Sequence, residues 1–112
     1  MDMVVEELSP GIVKVALNGR LDIAGCADVD ASFRNLAETS RSMVIDLSAV
    51  TFMASMGIRI LLVGAKALSR RAGKLVLLKP EPDVAKMLQL SGIADLMPIH
   101  SDLDDALAAV RS

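Results

Sequence analysis

The sequence predicts one α/β domain spanning residues 1–112, with a mixed sheet of about five strands and about four helices in the order β-β-α-β-α-β-α-β-α. Three observations lead to this fold class. A chain of 112 residues is long enough for one hydrophobic core but not for two. Short apolar runs alternate with segments of helical period along the chain. No internal repeat, linker or low-complexity tract divides the chain into separate units. The alternation of strands and helices favours a mixed sheet whose later strands are joined by right-handed crossovers.

The amino-terminal part predicts a hairpin followed by a helix. Residues 4–8 and 12–17 flank a Ser-Pro-Gly turn signal and are expected to pair as antiparallel strands. Asn18-Gly19 predicts a second turn, which leads into residues 20–22. Residues 25–38 have helical spacing, with an apolar face formed by Cys26, Val29, Phe33, Leu36 and Ala37.

The central part predicts a buried strand, a loop and an amphipathic helix. Residues 43–47 form an apolar run broken only by Asp46, as in a strand buried on both faces. After Thr51 the period becomes helical, and a loop is expected to deliver Ser55 to the start of a helix that ends at Ala72-Gly73. Its cations Arg59, Lys66 and Arg70 are expected opposite an apolar face formed by Met56, Ile60, Val63, Gly64, Ala67 and Leu68.

The carboxy-terminal part predicts two further strand–helix pairs. Residues 75–78 read as a second buried strand, and Pro82 is suited to the first turn of the helix that follows. Gly92 suits the left-handed position that ends this helix. Residues 97–99 contain a proline and are expected to form an edge strand. The acids after Ser101 mark the start of a last helix, which continues through Val110.

Ser55, at the start of the central helix, has two interpretations. As an N-cap, its hydroxyl would accept a hydrogen bond from a backbone N–H of the first turn and contribute about 1 kcal/mol. As a phosphorylation site, it would carry an added charge of about −1.5 to −2 at the positive end of the helix dipole. Position 58 is Ile rather than Glu or Gln, so no capping box supports the first interpretation further. From the residues alone, the cap is favoured.

The central stretch also resembles the signature of STAS domains, the fold of bacterial anti-sigma factor antagonists. That signature runs roughly apolar-apolar-Asp-Leu-Ser-x-Val-x-Phe-x-Asp-Ser-x-Gly-apolar. The chain departs from it at Ala54, where the family usually has Asp, and at Met56, where many members have Ser or Thr. The matching residues are Val44, Ile45, Asp46, Leu47, Ser48, Val50, Phe52, Ser55 and Gly57.

The resemblance implies a protein that binds an anti-sigma factor with serine kinase activity and thereby frees the sigma factor. Phosphorylation of Ser55 would abolish this binding, and a serine phosphatase would restore it. Met53 is expected to be partly exposed and Met56 to lie in the core. The partner is expected to contact Asp22, Met53, Ala54, Met56, Gly57 and Arg59.

Two other functions are compatible with the same resemblance. The first is a STAS accessory subunit of a transporter ATPase of the lipid-trafficking type, which would hold its partner without a phosphate cycle. The second is a small-ligand sensor, which would need a sizeable apolar pocket. The residues alone predict only a cap or turn role for Asp22 and a local hydrogen bond for Asp46.

Composition excludes several other classes. A net charge of −2 argues against a nucleic-acid partner, and the apolar runs are too short for membrane insertion. The single Cys26 excludes an internal disulfide and favours a cytoplasmic protein. One His and one Cys give no metal site of the usual spacing, and no phosphate loop indicates a cofactor. We therefore expect a protein that is not an enzyme, with Cys26 buried and His100 in a surface or packing role.

Overall fold

The computed structural model describes residues 1–111 and alternates strands with helices in the predicted order. The amino-terminal half contains β1 (Asp2–Ser9), β2 (Ile12–Leu21), α1 (Ile23–Thr39) and β3 (Ser42–Met53). The rest of the described chain contains α2 (Ser55–Ser69), β4 (Leu75–Leu78), α3 (Pro82–Leu90), β5 (Ile99–His100) and α4 (Leu103–Arg111).

The strands form one sheet in the order β1-β2-β3-β4-β5. β1 is antiparallel to β2, and the remaining neighbours are parallel, as expected when helices cross between them. Helices α1, α2 and α3 bury one face of the sheet, including Met43 and Ile45 of β3. Helix α4 covers part of the other face, against Val44 and Val76. Because successive side chains of β3 point to opposite faces of the sheet, this central strand contributes residues to both hydrophobic clusters.

The turn predicted at Asn18-Gly19 is wrong, because β2 continues through these residues to Leu21. Asn18 and Gly19 pair with Ala49 and Val50 of β3, although the register shifts on both sides of them. Gly19 has a φ of +124°, a backbone conformation that glycine adopts without strain. The glycine therefore marks a bulged strand rather than its end.

The strand predicted for residues 43–47 also extends further, as β3 runs from Ser42 to Met53. Ala54 is the single residue between β3 and α2, so the expected loop before Ser55 is absent. Helix α2 ends at Ser69 rather than Ala72, which has a φ of +61°. The left-handed conformation predicted for Gly92 is confirmed by its φ of +70°.

The buried face of α2 differs from the predicted one. Met56 and Val63, placed in the core by the spacing analysis, are 47% and 51% exposed. The helix is apolar over most of its circumference, so spacing alone did not identify which apolar side faces the sheet. The residues that are buried are Gly57, Ile58, Leu61, Gly64, Ala65 and Leu68.

Candidate functional site

The candidate site lies where β2 and β3 end side by side. These strands are parallel, so their carboxyl ends meet at one edge of the sheet, with Leu21 paired to Met53. The backbone N–H of Ala54 donates to the carbonyl oxygen of Leu21 at 2.9 Å. This bond extends the ladder by one residue, so the starts of α1 and α2 lie at the same edge of the sheet.

Ser55 is exposed and is the first residue of α2, not its N-cap. The capping interpretation is wrong because β3 continues to Met53 and leaves Ala54 alone to turn the chain. Ala54 occupies the N-cap with φ −84° and ψ 163°, and no side chain within residues 1–111 caps the helix. The serine hydroxyl is therefore not committed to the helix end and faces the surface.

The amino terminus of α2 carries uncompensated positive charge. The backbone N–H groups of Ser55 and Met56 find no acceptor among residues 1–111, and the first turn contains no acidic residue. Free N–H groups and the helix dipole together favour an anion at such a position. A phosphate on Ser55 would therefore be placed close to complementary backbone charge.

Asp22 is the N-cap of α1, which confirms the capping role predicted from the residues. Its Oδ1 accepts a hydrogen bond from the Gly25 N–H at 2.8 Å. This bond, with a smaller contribution from Arg20, holds the pKa of Asp22 below its usual value. Asp22 is thus ionised at neutral pH and adds negative charge at this edge of the sheet.

Arg20 and Phe52 belong to the same surface and were missed by the sequence reasoning. The Arg20 guanidinium lies 4.5 Å from the centre of the Phe52 ring, and its Nε is 3.5 Å from Oδ2 of Asp22. Phe52 is 40% exposed. Arg20 therefore links the end of β3 to the cap of α1. The alternation of side chains along β3 could have indicated Phe52, because the residue before a buried Met53 must face outward.

The predicted exposures of Met53 and Met56 are both wrong. Met53, predicted to be partly exposed, is only 5% exposed, whereas Met56, predicted to be in the core, is largely accessible. Gly57 is also buried, and a Cβ there would lie 2.8 Å from Met53 Sδ and 3.1 Å from Leu21 Cβ. Met53 and Gly57 therefore set the position of α2 against the sheet. Of the predicted contacts on this helix, Met56 and Arg59 reach the surface.

Other polar side chains have local structural roles. The Ser48 N–H donates to Asp46 Oδ1 at 2.9 Å, which confirms the predicted local bond. Burial would raise the pKa of Asp46, but hydrogen bonds from Ser48 and the charge of Lys14 hold it below its usual value. Cys26 is buried as predicted, and desolvation raises the pKa of its thiol. No helix within residues 1–111 is both long and apolar enough to span a membrane.

The fold and the site together define a small α/β domain that presents a serine hydroxyl at a helix tip, on the carboxyl edge of its parallel strands. A model of the STAS domain matches residues 4–106, so the chain belongs to the STAS domain family. The resemblance seen in the sequence is thereby confirmed.

Several characterised or solved proteins resemble the chain over nearly its whole length. It is 26% identical over 102 residues to the anti-sigma-F factor antagonist RsfB of Mycobacterium tuberculosis, covering 90% of this chain and 83% of RsfB. An anti-sigma factor antagonist from Mycobacterium paratuberculosis has 28% identity and a TM-score of 0.87, covering 99% and 94% of the two chains. Unphosphorylated SpoIIAA, an anti-sigma factor antagonist, has 25% identity and a TM-score of 0.82, covering 98% and 96%.

Proposed function

We propose that the protein is a cytoplasmic anti-sigma factor antagonist that acts by binding an anti-sigma factor with serine kinase activity. The proposal rests on the exposed hydroxyl of Ser55, the first residue of α2. Relatives named as anti-sigma factor antagonists, similar over about nine-tenths of this chain, support the class of function. Asp22, Arg20 and Phe52, which contact one another at the same edge of the sheet, would form the rest of the contact surface.

Phosphorylation of Ser55 would switch this binding off. The phosphate would bring about −1.5 to −2 charges to a surface that the partner must desolvate. Burying that charge without a matched partner is costly, and the neighbouring carboxylate of Asp22 adds like charge. Structures of SpoIIAA in unphosphorylated and phosphorylated forms exist, which is consistent with a phosphate cycle in that protein. A serine phosphatase would restore the binding form.

Ala54, which departs from the family pattern, affects the helix end rather than access to Ser55. Its position as N-cap means that the usual Asp would cap α2 through its side chain. Without that cap the first turn is held less firmly, while the serine stays exposed. We therefore infer that Ser55 is a kinase substrate in this chain.

The direct test is phosphorylation by an anti-sigma factor kinase from the same organism, in the presence of ATP. We expect one phosphate per chain by intact mass, and none in Ser55→Ala. The matched control is Ser69→Ala, since Ser69 is also exposed and ends the same helix. This variant should take up one phosphate, as the unmodified chain does.

Two results would contradict the proposal in different ways. Stable binding to the kinase with no phosphate transfer would refute the switch and leave an antagonist of constant affinity. Co-purification with a transporter nucleotide-binding subunit, and no binding to an anti-sigma factor, would refute the antagonist. That result would instead favour the accessory subunit of a transporter ATPase.

A further inference from the structure

Helix α2 carries a second apolar stripe that the domain itself covers only in part. At about 100° per residue, Met56, Val63 and Ala67 fall within about 40° of one another, away from the buried Leu61. Met56 and Val63 are about half exposed. Exposed apolar residues grouped on one helix face are a feature of interaction surfaces.

This stripe forms one wall of a groove between α1 and α2. The groove has a volume of about 730 Å³, and its lining runs from Met56 to Arg70 on α2 and from Ile23 to Glu38 on α1. Phe33 contributes to its floor, and Ile23, 74% exposed, lies at one end. Fifteen residues of α2 correspond to a length of about 22 Å, which matches four turns of a second helix.

The α2 side of the groove is edged by cations. Arg59, Lys66 and Arg70 fall within about 40° of one another on the helix, directly beside the apolar stripe rather than opposite it. None of the three forms a salt bridge within residues 1–111. On the α1 side, Asp30 is already paired with Arg34 at 2.9 Å, and Glu38 is a further acid in the lining. A chain of net charge −2 thus presents a locally basic edge.

We propose that this groove binds an amphipathic helix contributed by the anti-sigma factor, with Asp and Glu along the flank of its apolar stripe that faces α2. The apolar stripe of that helix would cover Met56 and Val63, while its acids would pair with the cations of α2. The assignment of the helix to the anti-sigma factor rests on the proposed function. Because Met56 follows Ser55 directly, the groove continues the surface around that serine.

Charge favours this occupant over an antiparallel pairing of α2 with α2 of a second copy. In that pairing the two-fold axis is perpendicular to α2 and lies in the interface, so the three cations of each copy would face those of the other, and like charges facing one another are destabilising. An acidic helix instead gains attraction along the whole edge.

The test uses a synthetic helical peptide of about four turns, with Leu at positions i, i+3, i+4 and i+7, Glu along one flank and Gln along the other. We expect amide shift changes in a ¹H–¹⁵N spectrum to be confined to residues lining the groove. A matched peptide with Lys in place of every Glu should bind on the order of tenfold more weakly, since attractive exposed ion pairs with three cations are replaced by repulsive contacts. Raising the salt concentration should reduce the difference.

A second experiment reverses charges on the protein instead of on the peptide. The triple variant Arg59→Glu, Lys66→Glu, Arg70→Glu should reverse the preference and bind the Lys peptide more tightly. The control variant reverses Arg41, Lys79 and Lys86, three exposed cations outside the groove, and should keep the preference for Glu. Circular dichroism melts of both variants establish that they are folded.

These experiments need no anti-sigma factor, so their outcome is independent of the phosphorylation test. Equal affinity for the two peptides, or shift changes outside the groove, would overturn the proposed occupant. Concentration-dependent dimerisation mapped to the groove would overturn it in favour of a second copy. With the anti-sigma factor in hand, the triple variant should bind it at least about tenfold more weakly than the control variant.

Discussion

Ala54→Asp should stabilise the protein by completing the cap of α2. Ala54 already has the extended backbone conformation of an N-cap, so the substitution needs no change in the chain path. The introduced carboxylate would accept a hydrogen bond from the Met56 or Gly57 N–H. That of Met56 has no acceptor within residues 1–111, and the first turn contains no other acid.

The gain follows from two effects that overlap. A side-chain cap contributes about 1 kcal/mol, with a range of about 0.5–2 kcal/mol. A negative charge at the positive end of the dipole contributes about 0.3–1 kcal/mol. Because the same carboxylate supplies both, we expect a total of about 1–2 kcal/mol in the free energy of unfolding. For a domain of this size, each kcal/mol raises the Tm by about 4–8 °C.

Calorimetry and urea unfolding of the two proteins measure this gain, and Ala54→Asn separates the cap from the charge. Asn can accept the hydrogen bond without ionising, so its gain should persist at pH 3. The gain from Asp should fall below about pH 4, as its carboxylate becomes protonated. Equal or lower stability of Ala54→Asp at pH 7 would refute the description of this helix end.

Three further predictions follow from side chains around the site. Because the pKa of Asp22 is lowered in the folded protein, its ionised carboxylate stabilises the fold above about pH 4, and this contribution is lost as the pH falls through the folded-state pKa. On acidification, the urea midpoint of the native chain should therefore fall more steeply than that of Asp22→Asn. Gly57→Ala should lower stability, because overpacking against Met53 and Leu21 costs about 1–3 kcal/mol, more than the gain in helix propensity of about 1 kcal/mol. Met53→Val, which removes the clashing sulfur, should relieve part of that loss in the double variant. The thiol of Cys26 should react with a disulfide reagent slowly in the native protein and fully in denaturant, since it is buried with a raised pKa.

Each of these has a clear contrary result. Parallel pH profiles for the native chain and Asp22→Asn would show that the cap on Gly25 contributes little. A more stable Gly57→Ala would mean that α2 moves away from the sheet without cost. Rapid labelling of the native thiol would contradict the packing of α1 against the core.

The fold could be predicted because each element carried its own local pattern. Four consecutive apolar residues from Leu75 to Leu78 are typical of a strand buried on both faces, and all four are buried in β4. Gly92 ended α3 in the left-handed conformation that its position required. Each of these patterns involves only residues that are close together along the chain, so the sequence alone is enough to recognise them.

The geometry of the site could be predicted less well, because it depends on the pairing of β2 with β3. That ladder overrides the turn tendency of Asn18-Gly19 and extends β3 to Met53. As a result, Ser55 is the first residue of α2 rather than the N-cap that the sequence predicted. The contact between Arg20 and Phe52 joins residues 32 positions apart, whose proximity follows only from the strand register.

The most direct measurement of the central claim is the release of a sigma factor from its complex with the anti-sigma factor, followed by fluorescence anisotropy of labelled sigma factor. The unmodified chain should displace the sigma factor, and a chain carrying phosphoserine at position 55 should not. Equal release by both forms would contradict the account, because the hydroxyl at the tip of α2 would then not control binding.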